Sequence, residues 1–341
     1  GANSAEIKPD LTGHELPKFP EFKSPDPDQR VLVIPLRDKG DEELLAKDEL
    51  ERALDRVKED YERASYNQLH YNFNVLPWQE INLPLDRTLS NVLTDIGDAR
   101  IKELGLNNTD KYQTIMYVLN SDSRSIAFPQ PNSQQKRAIV KLVGKDFGGI
   151  EEFASTVRHE LGHTLGMSHA NSIEVEKSIF QEYGGLDDFM GSTDRNKETP
   201  ESINAVEAIA MGWIKEDSVQ SISEDGVYDL ADVMNGGPEF SYKNSYPLAL
   251  RLKKQDTNEF YYIGYRHKRG YETTSMGGIV AATTTKSSKL ELHKWDEKLG
   301  SSPLELITDF LEWSDGMEYY DKNNGITIKQ ISHVSEDAQE N

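Results

Sequence analysis

The chain has 341 residues, with 38 Lys+Arg against 59 Asp+Glu and a formal net charge of −21. Such a surface repels phosphate and collects no counterion-release energy, which argues against nucleic-acid binding. Hydrophobic residues at 36% and charged residues at 28% fit a globular chain of two ordinary domains. No apolar run reaches the roughly 20 residues that span a bilayer. Cysteine is absent, which removes disulfides, thiolate ligands and cysteine nucleophiles, so a metal must be held by His and carboxylates. The N-terminus, Gly1-Ala2-Asn3-Ser4, has no basic or apolar signal region, so export would require a signal removed beforehand.

Residues 1–30 carry Pro9, Pro17, Pro20, Pro25 and Pro27 among polar residues and read as an extended leader or linker. Val31 to Leu36 reads as a buried strand. Leu45, Leu50, Ala53, Leu54, Val57, Tyr61 and Ala64 then give Glu42 to Ala64 the periodicity of an amphipathic helix. Tyr71 to Leu83 alternates as a half-buried strand does, and Thr88 to Leu104 returns to a helical pattern. Gln113 to Leu119, Ser125 to Phe128 and Arg137 to Val143 read as further strands. This predicts an α+β fold with a mixed, twisted sheet backed by helices over residues 31–217. From residue 218 to 341 short strands dominate, at Tyr246 to Leu252, Phe260 to Tyr265, Gly278 to Thr284 and Gly325 to Ile331, and predict a small all-β, sandwich-like module.

Three of the eight histidines fall within His159-Glu160-Leu161-Gly162-His163-Thr164-Leu165-Gly166-Met167-Ser168-His169. The preceding run from Ile150 has good helix formers and an acidic first turn. On that helix His159 and His163, at i and i+4, present two imidazoles to one ion. Gly166 can take positive φ, end the helix and return His169 to the same ion. Three neutral imidazoles make a tetrahedral zinc site with one position left for water, the arrangement of a catalytic site. Glu160 is placed to take the proton of that water and pass it to a leaving amine. A chance match to all the fixed positions has a probability of roughly a few in 10⁵.

The run His159-Glu160-x-x-His163-x-x-Gly166-x-x-His169 resembles the extended zinc signature of the metzincin metallopeptidases. The resemblance implies a methionine turn beneath the metal, for which Met190, 21 residues past His169, is the candidate. Met211 is the rival, although it lies in Ile203 to Trp213, which reads as a helix with Met211 in the core. The finer similarity is to the gametolysin-type and immune-inhibitor-A-type secreted peptidases. It rests on Ala64-Ser65-Tyr66-Asn67-Gln68-Leu69, Glu182-Tyr183-Gly184, Met211-Gly212-Trp213 and Phe260-Tyr261-Tyr262-Ile263-Gly264-Tyr265-Arg266. Many metzincins have a tyrosine two residues after the turn methionine, where Ser192 stands here.

The resemblance implies a zinc-dependent endopeptidase that hydrolyses peptide bonds of extracellular proteins with one catalytic Zn2+. It implies secretion or a cell-surface or periplasmic place, and protein or peptide substrates bound in extended conformation along the edge strand Arg124 to Pro129. Transition-state charge would be met by backbone N–H groups near Ser125 to Phe128 or by Tyr183, for which packing beside the turn is the competing role. Asp187, Asp188 and Asp194 form an acidic loop that is a candidate Ca2+ site or a solvated face. His14, His70, His267, His293 and His333 are scattered and read as packing or surface residues. Asp26 or Asp28 is a candidate zinc cap in a latent form. The β-module is a candidate for substrate or glycan recognition. The alternative function is a catalytically silent surface adhesin or binding protein that keeps a zinc-peptidase fold, although such a protein has no physical need of Glu160.

Overall fold

The computed structural model of the chain describes residues 2–9, 17–84, 90–120, 126–129, 135–142, 149–185, 188–191, 202–242, 245–273, 279–298, 303–307 and 313–334, with backbone alone at 90, 126–129, 267–273 and 279–289. In chain order the first elements are β1 (Asn3–Lys8), β2 (Asp28–Asp38), α1 (Lys47–Ala64), β3 (His70–Val75), β4 (Gln79–Ile81) and α2 (Ser90–Glu103). They continue with β5 (Thr114–Asn120), β6 (Ile126–Pro129), β7 (Lys136–Leu142), α3 (Gly149–Leu165), β8 (Asn171–Glu174), β9 (Ile179–Gln181) and α4 (Ala205–Ala210). Beyond α4 come two short 3-10 turns, Glu216–Ser218 and Val233–Asn235, and the strands β10 (Val219–Ser221), β11 (Gly226–Leu230), β12 (Ala249–Lys253), β13 (Phe260–Thr273), β14 (Ile279–Trp295), β15 (Leu304–Ile307), β16 (Glu318–Asp321) and β17 (Ile326–Ser332). The fold class is therefore α+β. No helix among the described residues is long and apolar enough to cross a membrane.

The chain divides into two compact units, one of Pro25–Met167 with Thr193–Pro200 and one of Gly1–Ser24, Ser168–Ser192 and Glu201–Asn341. The first holds a sheet of order β3-β2-β5-β7-β6, with β4 also pairing β2. Its strands are parallel except β6, which runs antiparallel to β7 at the edge. Leu32, Ile34 and Leu36 alternate onto one face and meet Leu93 and Ile101 of α2 in a buried cluster with Ile115, Tyr117 and Ile139. A Cβ at Gly97 would meet the Tyr117 ring at 2.3 Å, so glycine lets α2 close on the sheet. On the other face Tyr71 of β3 packs edge-on against Tyr61 of α1, with ring centroids 5.0 Å apart. α1 starts at Lys47 rather than Glu42. Glu49 accepts the Ala46 N–H at 2.8 Å and closes the helix entry that Ala46 has no side chain to cap. The stretch read as one strand over 71–83 is two, because Pro77 between them cannot donate to a ladder.

The second unit is a sandwich. A seven-stranded sheet of order β10-β12-β13-β14-β15-β8-β9 shares one core with a four-stranded sheet of order β11-β1-β17-β16. Leu250, Leu252, Tyr261, Ile263, Leu290 and Leu292 come from the large sheet and Ala5, Ile7, Leu230, Ile326 and Ile328 from the small one.

Two organisational expectations change. Residues 3–8 are not a leader but a central strand, antiparallel to both β11 and β17, with Ala5 and Ile7 wholly buried. Phe22 stacks on Trp295 at 5.3 Å and Arg251 donates to the Pro17 carbonyl at 2.9 Å, which fixes 17–22 as well. The strand-rich unit also takes in Ser168–Ser192, ahead of 218, since β8 pairs in parallel with β15. Asp26 accepts the Asp28 N–H at 3.0 Å just before β2, and Asp28 is the first residue of that strand.

Candidate metal centre

The helix that carries the motif is anchored just before its first histidine. Tyr61 Oη donates to the Arg158 carbonyl at 2.6 Å, and the Arg158 guanidinium pairs with Asp60 at 2.5 Å with both side chains nearly buried. At the other end Lys136 donates to the Thr164 carbonyl, a cation placed at the negative end of the helix. Gly166 takes φ +99°. The Met167 N–H returns to Gly162 O and the Gly166 N–H to His163 O, each at 3.0 Å, which is a Schellman stop.

The imidazoles of His159, His163 and His169 are half-buried, and their ligand atoms all lie within 4.8 Å of one another. His159 Nε2 and His163 Nε2 are 3.1 Å apart. Two nitrogens at a zinc–nitrogen distance of about 2.0–2.1 Å in tetrahedral geometry would be ~3.3 Å apart. Two of the imidazoles face an outer acceptor through Nδ1. His163 Nδ1 lies 3.0 Å from the Met167 carbonyl and His169 Nδ1 lies 3.0 Å from Glu182 Oε1. A proton on Nδ1 leaves the Nε2 lone pair for a metal. The donor set therefore fits a divalent ion with three imidazole ligands and an open position.

Glu160 follows the first imidazole on α3 and is 4% exposed. Among the described residues its Oε2 has no hydrogen-bond partner. Burial pushes its pKa up to about 8, and Lys141 of β7 pulls the other way. Such a carboxyl is poised between holding and releasing a proton near neutral pH. Among the described residues β6 is the edge strand of the sheet. Arg124 and Ser125, expected beside it, lie outside the described residues.

Residues 168–191 build the rest of the site from backbone bonds. The Ala170 N–H, one residue past His169, donates to Met190 O at 2.8 Å, and the Gly185 N–H donates to Ala170 O at 2.9 Å. Met190 is wholly buried in a turn closed by Gly191 N–H to Asp188 O at 3.0 Å. A Cβ at Gly191 would sit 1.9 Å from the Gly185 carbonyl oxygen, so only glycine fits. Met211 instead caps the C-terminus of the short helix α4 and is partly exposed. The Tyr183 ring lies on His169, centroids 4.1 Å apart, and its backbone takes φ 61° while donating to Asn171 Oδ1.

Asp188 Oδ1 accepts from Met190 N–H at 2.9 Å and Oδ2 from Asn204 N–H at 2.9 Å. Asp187, Asp194 and Ser192 lie outside the described residues, as does His14. His70 pairs with Glu62 and His333 with Asp315, at 3.1 and 2.9 Å, while His293 is buried in β14. His267 is described in backbone only. Two contributors escaped sequence reasoning: the Met167 carbonyl, which carries no side-chain signal, and Glu182, whose only signal is its place before Tyr183-Gly184.

No protein-family model matches the chain, and no curated protein matches it. Among solved structures, wild-type OgpA from Akkermansia muciniphila is similar at 12% identity, over 96% of this chain and 97% of that one, with a TM-score of 0.36. Catalytically inactive OgpA in complex with an O-glycopeptide substrate, glycodrosocin, is similar at 10% identity over 96% of both chains, with a TM-score of 0.33. A chaperone–substrate complex is similar at 12% identity over 54% of this chain and 37% of that one, with a TM-score of 0.32. Likeness at this level says nothing about the site.

Proposed function

We propose that the chain is a zinc-dependent endopeptidase of the metzincin type that cleaves extracellular proteins and acts outside the cell or at its surface. The observation that carries the reading is the convergence of His159, His163 and His169 within 4.8 Å, next to a buried carboxyl, Glu160, whose Oε2 has no partner among the described residues. The three Nε2 atoms would hold the ion, which supplies Lewis acidity when bound and lowers the pKa of water. Glu182 and the Met167 carbonyl orient two of the imidazoles. Glu160 Oε2 takes the proton of the attacking water and delivers it to the leaving amine. β6, the edge strand among the described residues, offers its outer backbone groups to an extended peptide, which gives affinity with little sequence selectivity.

The test is hydrolysis of a mixed peptide library by the full chain, alongside its metal content. The reading expects about one zinc per chain, cleavage abolished by a chelator and cleavage restored by zinc. Tight zinc binding without hydrolysis would favour the silent adhesin instead, and absence of zinc binding would remove both.

A further inference from the structure

Asp188 is 1% exposed, and a buried carboxylate is costly unless every lone pair is used. Its Oδ1 accepts the Met190 N–H at 2.9 Å. Its Oδ2 accepts from Asn204 twice, from N–H at 2.9 Å and from Nδ2 at 3.1 Å, and faces Arg266 Nη2 at 3.8 Å. Arg266 is itself fixed, donating from Nε at 3.0 Å and Nη2 at 2.8 Å to Glu291 Oε1, with both side chains almost wholly buried. The Asn204 side chain also caps α4 through the Glu207 N–H. Asp188 thus joins the large sheet and the start of α4 to one short turn.

That turn holds His169. Met190 O receives the Ala170 N–H at 2.8 Å, and Ala170 O receives the Gly185 N–H at 2.9 Å. An apolar residue would fill the Asp188 position at lower desolvation cost, but none could accept the Met190 and Asn204 N–H groups together. We infer that Asp188, backed by Arg266 and Asn204, is a positioning residue that fixes the third imidazole through Met190 and Ala170. Its functional meaning rests on the metallopeptidase reading, while the mechanical link can be tested without metal.

Full-length Asp188→Asn and Asn204→Ala proteins would be compared with wild type by amide hydrogen exchange, metal-free, at Ala170 and at Ile263 in the core of the same unit. The expected result is exchange at Ala170 faster by about tenfold or more, with Ile263 changed far less. Cobalt-loaded protein should then show an altered visible spectrum and metal affinity lowered by about 10–100-fold. Should Asp188→Asn fail to fold, Asn204→Ala decides, since it keeps the carboxylate; it removes the Nδ2 donor and the α4 cap together, so exchange at the Glu207 N–H is read beside that at Ala170 to separate the two. Unchanged Ala170 exchange, or an equal rise at Ile263, would overturn the inference. A wild-type chain that binds neither cobalt nor zinc would overturn the metallopeptidase reading and leave the exchange result to judge Asp188.

Discussion

Replacing Glu182 by alanine removes the acceptor that orients His169 without touching a ligand. Outer carboxylates of this kind typically carry 10–100-fold in metal affinity, about 1.4–2.7 kcal/mol. The Glu182 side chain is 56% exposed and that of His169 25%, so solvent screens the pair and places the loss near the lower end. We expect zinc affinity to fall by about tenfold, or ~1.4 kcal/mol, in competition with a chromophoric chelator at fixed pH. Glu182→Gln keeps an acceptor oxygen and should lose only about threefold, roughly the charge-assisted part of the bond. The charge-dependent part should shrink as salt rises. An Ala variant within about twofold of wild type would refute orientation by Glu182, and a loss beyond about 1,000-fold would mean that Glu182 is itself a ligand.

Arg158→Met strands Asp60, which keeps Arg63 as a partner, so the cost should be near the low end of the range for broken buried pairs, about 3 kcal/mol by urea denaturation. A cost below ~1 kcal/mol would show the pair to be solvated. Gly191→Ala drives a methyl into the Gly185 carbonyl and should cost about 1–3 kcal/mol and lower zinc affinity; an unchanged melting temperature and affinity would contradict the close approach. Deleting residues 2–9 removes a strand paired on both sides and should leave the sandwich unfolded in amide-exchange spectra, with β11 and β17 unprotected. Native protection there would show that the strand is dispensable.

What the sequence made legible was local. Leu50, Leu54, Val57 and Tyr61 repeat at helical spacing, and α1 buries them. His159 and His163 are one helical turn apart, so their meeting needs nothing beyond α3, and Gly166 ends that helix through its own φ. Contacts of long range were not legible. Asn3 pairs with Leu230 and Ser4 with Ser332, and no periodicity in a proline-rich N-terminal stretch announces such partners. β8 is a four-residue strand that enters the large sheet through β15, more than 100 residues further along the chain, which is why the change of character seemed to come only after Trp213. Asp188 looked like part of a solvated or cation-binding loop because its partners, Asn204 and Arg266, are remote in the chain.

The central claim is that Glu160 moves the proton at a centre held by three histidines. Glu160→Ala in the full chain, assayed for bound zinc and for peptide hydrolysis in the same preparation, tests it most directly. The account predicts one zinc per chain with affinity near wild type and a hydrolysis rate lower by about 10²–10⁴-fold. Zinc retained with a rate within about tenfold of wild type would contradict it.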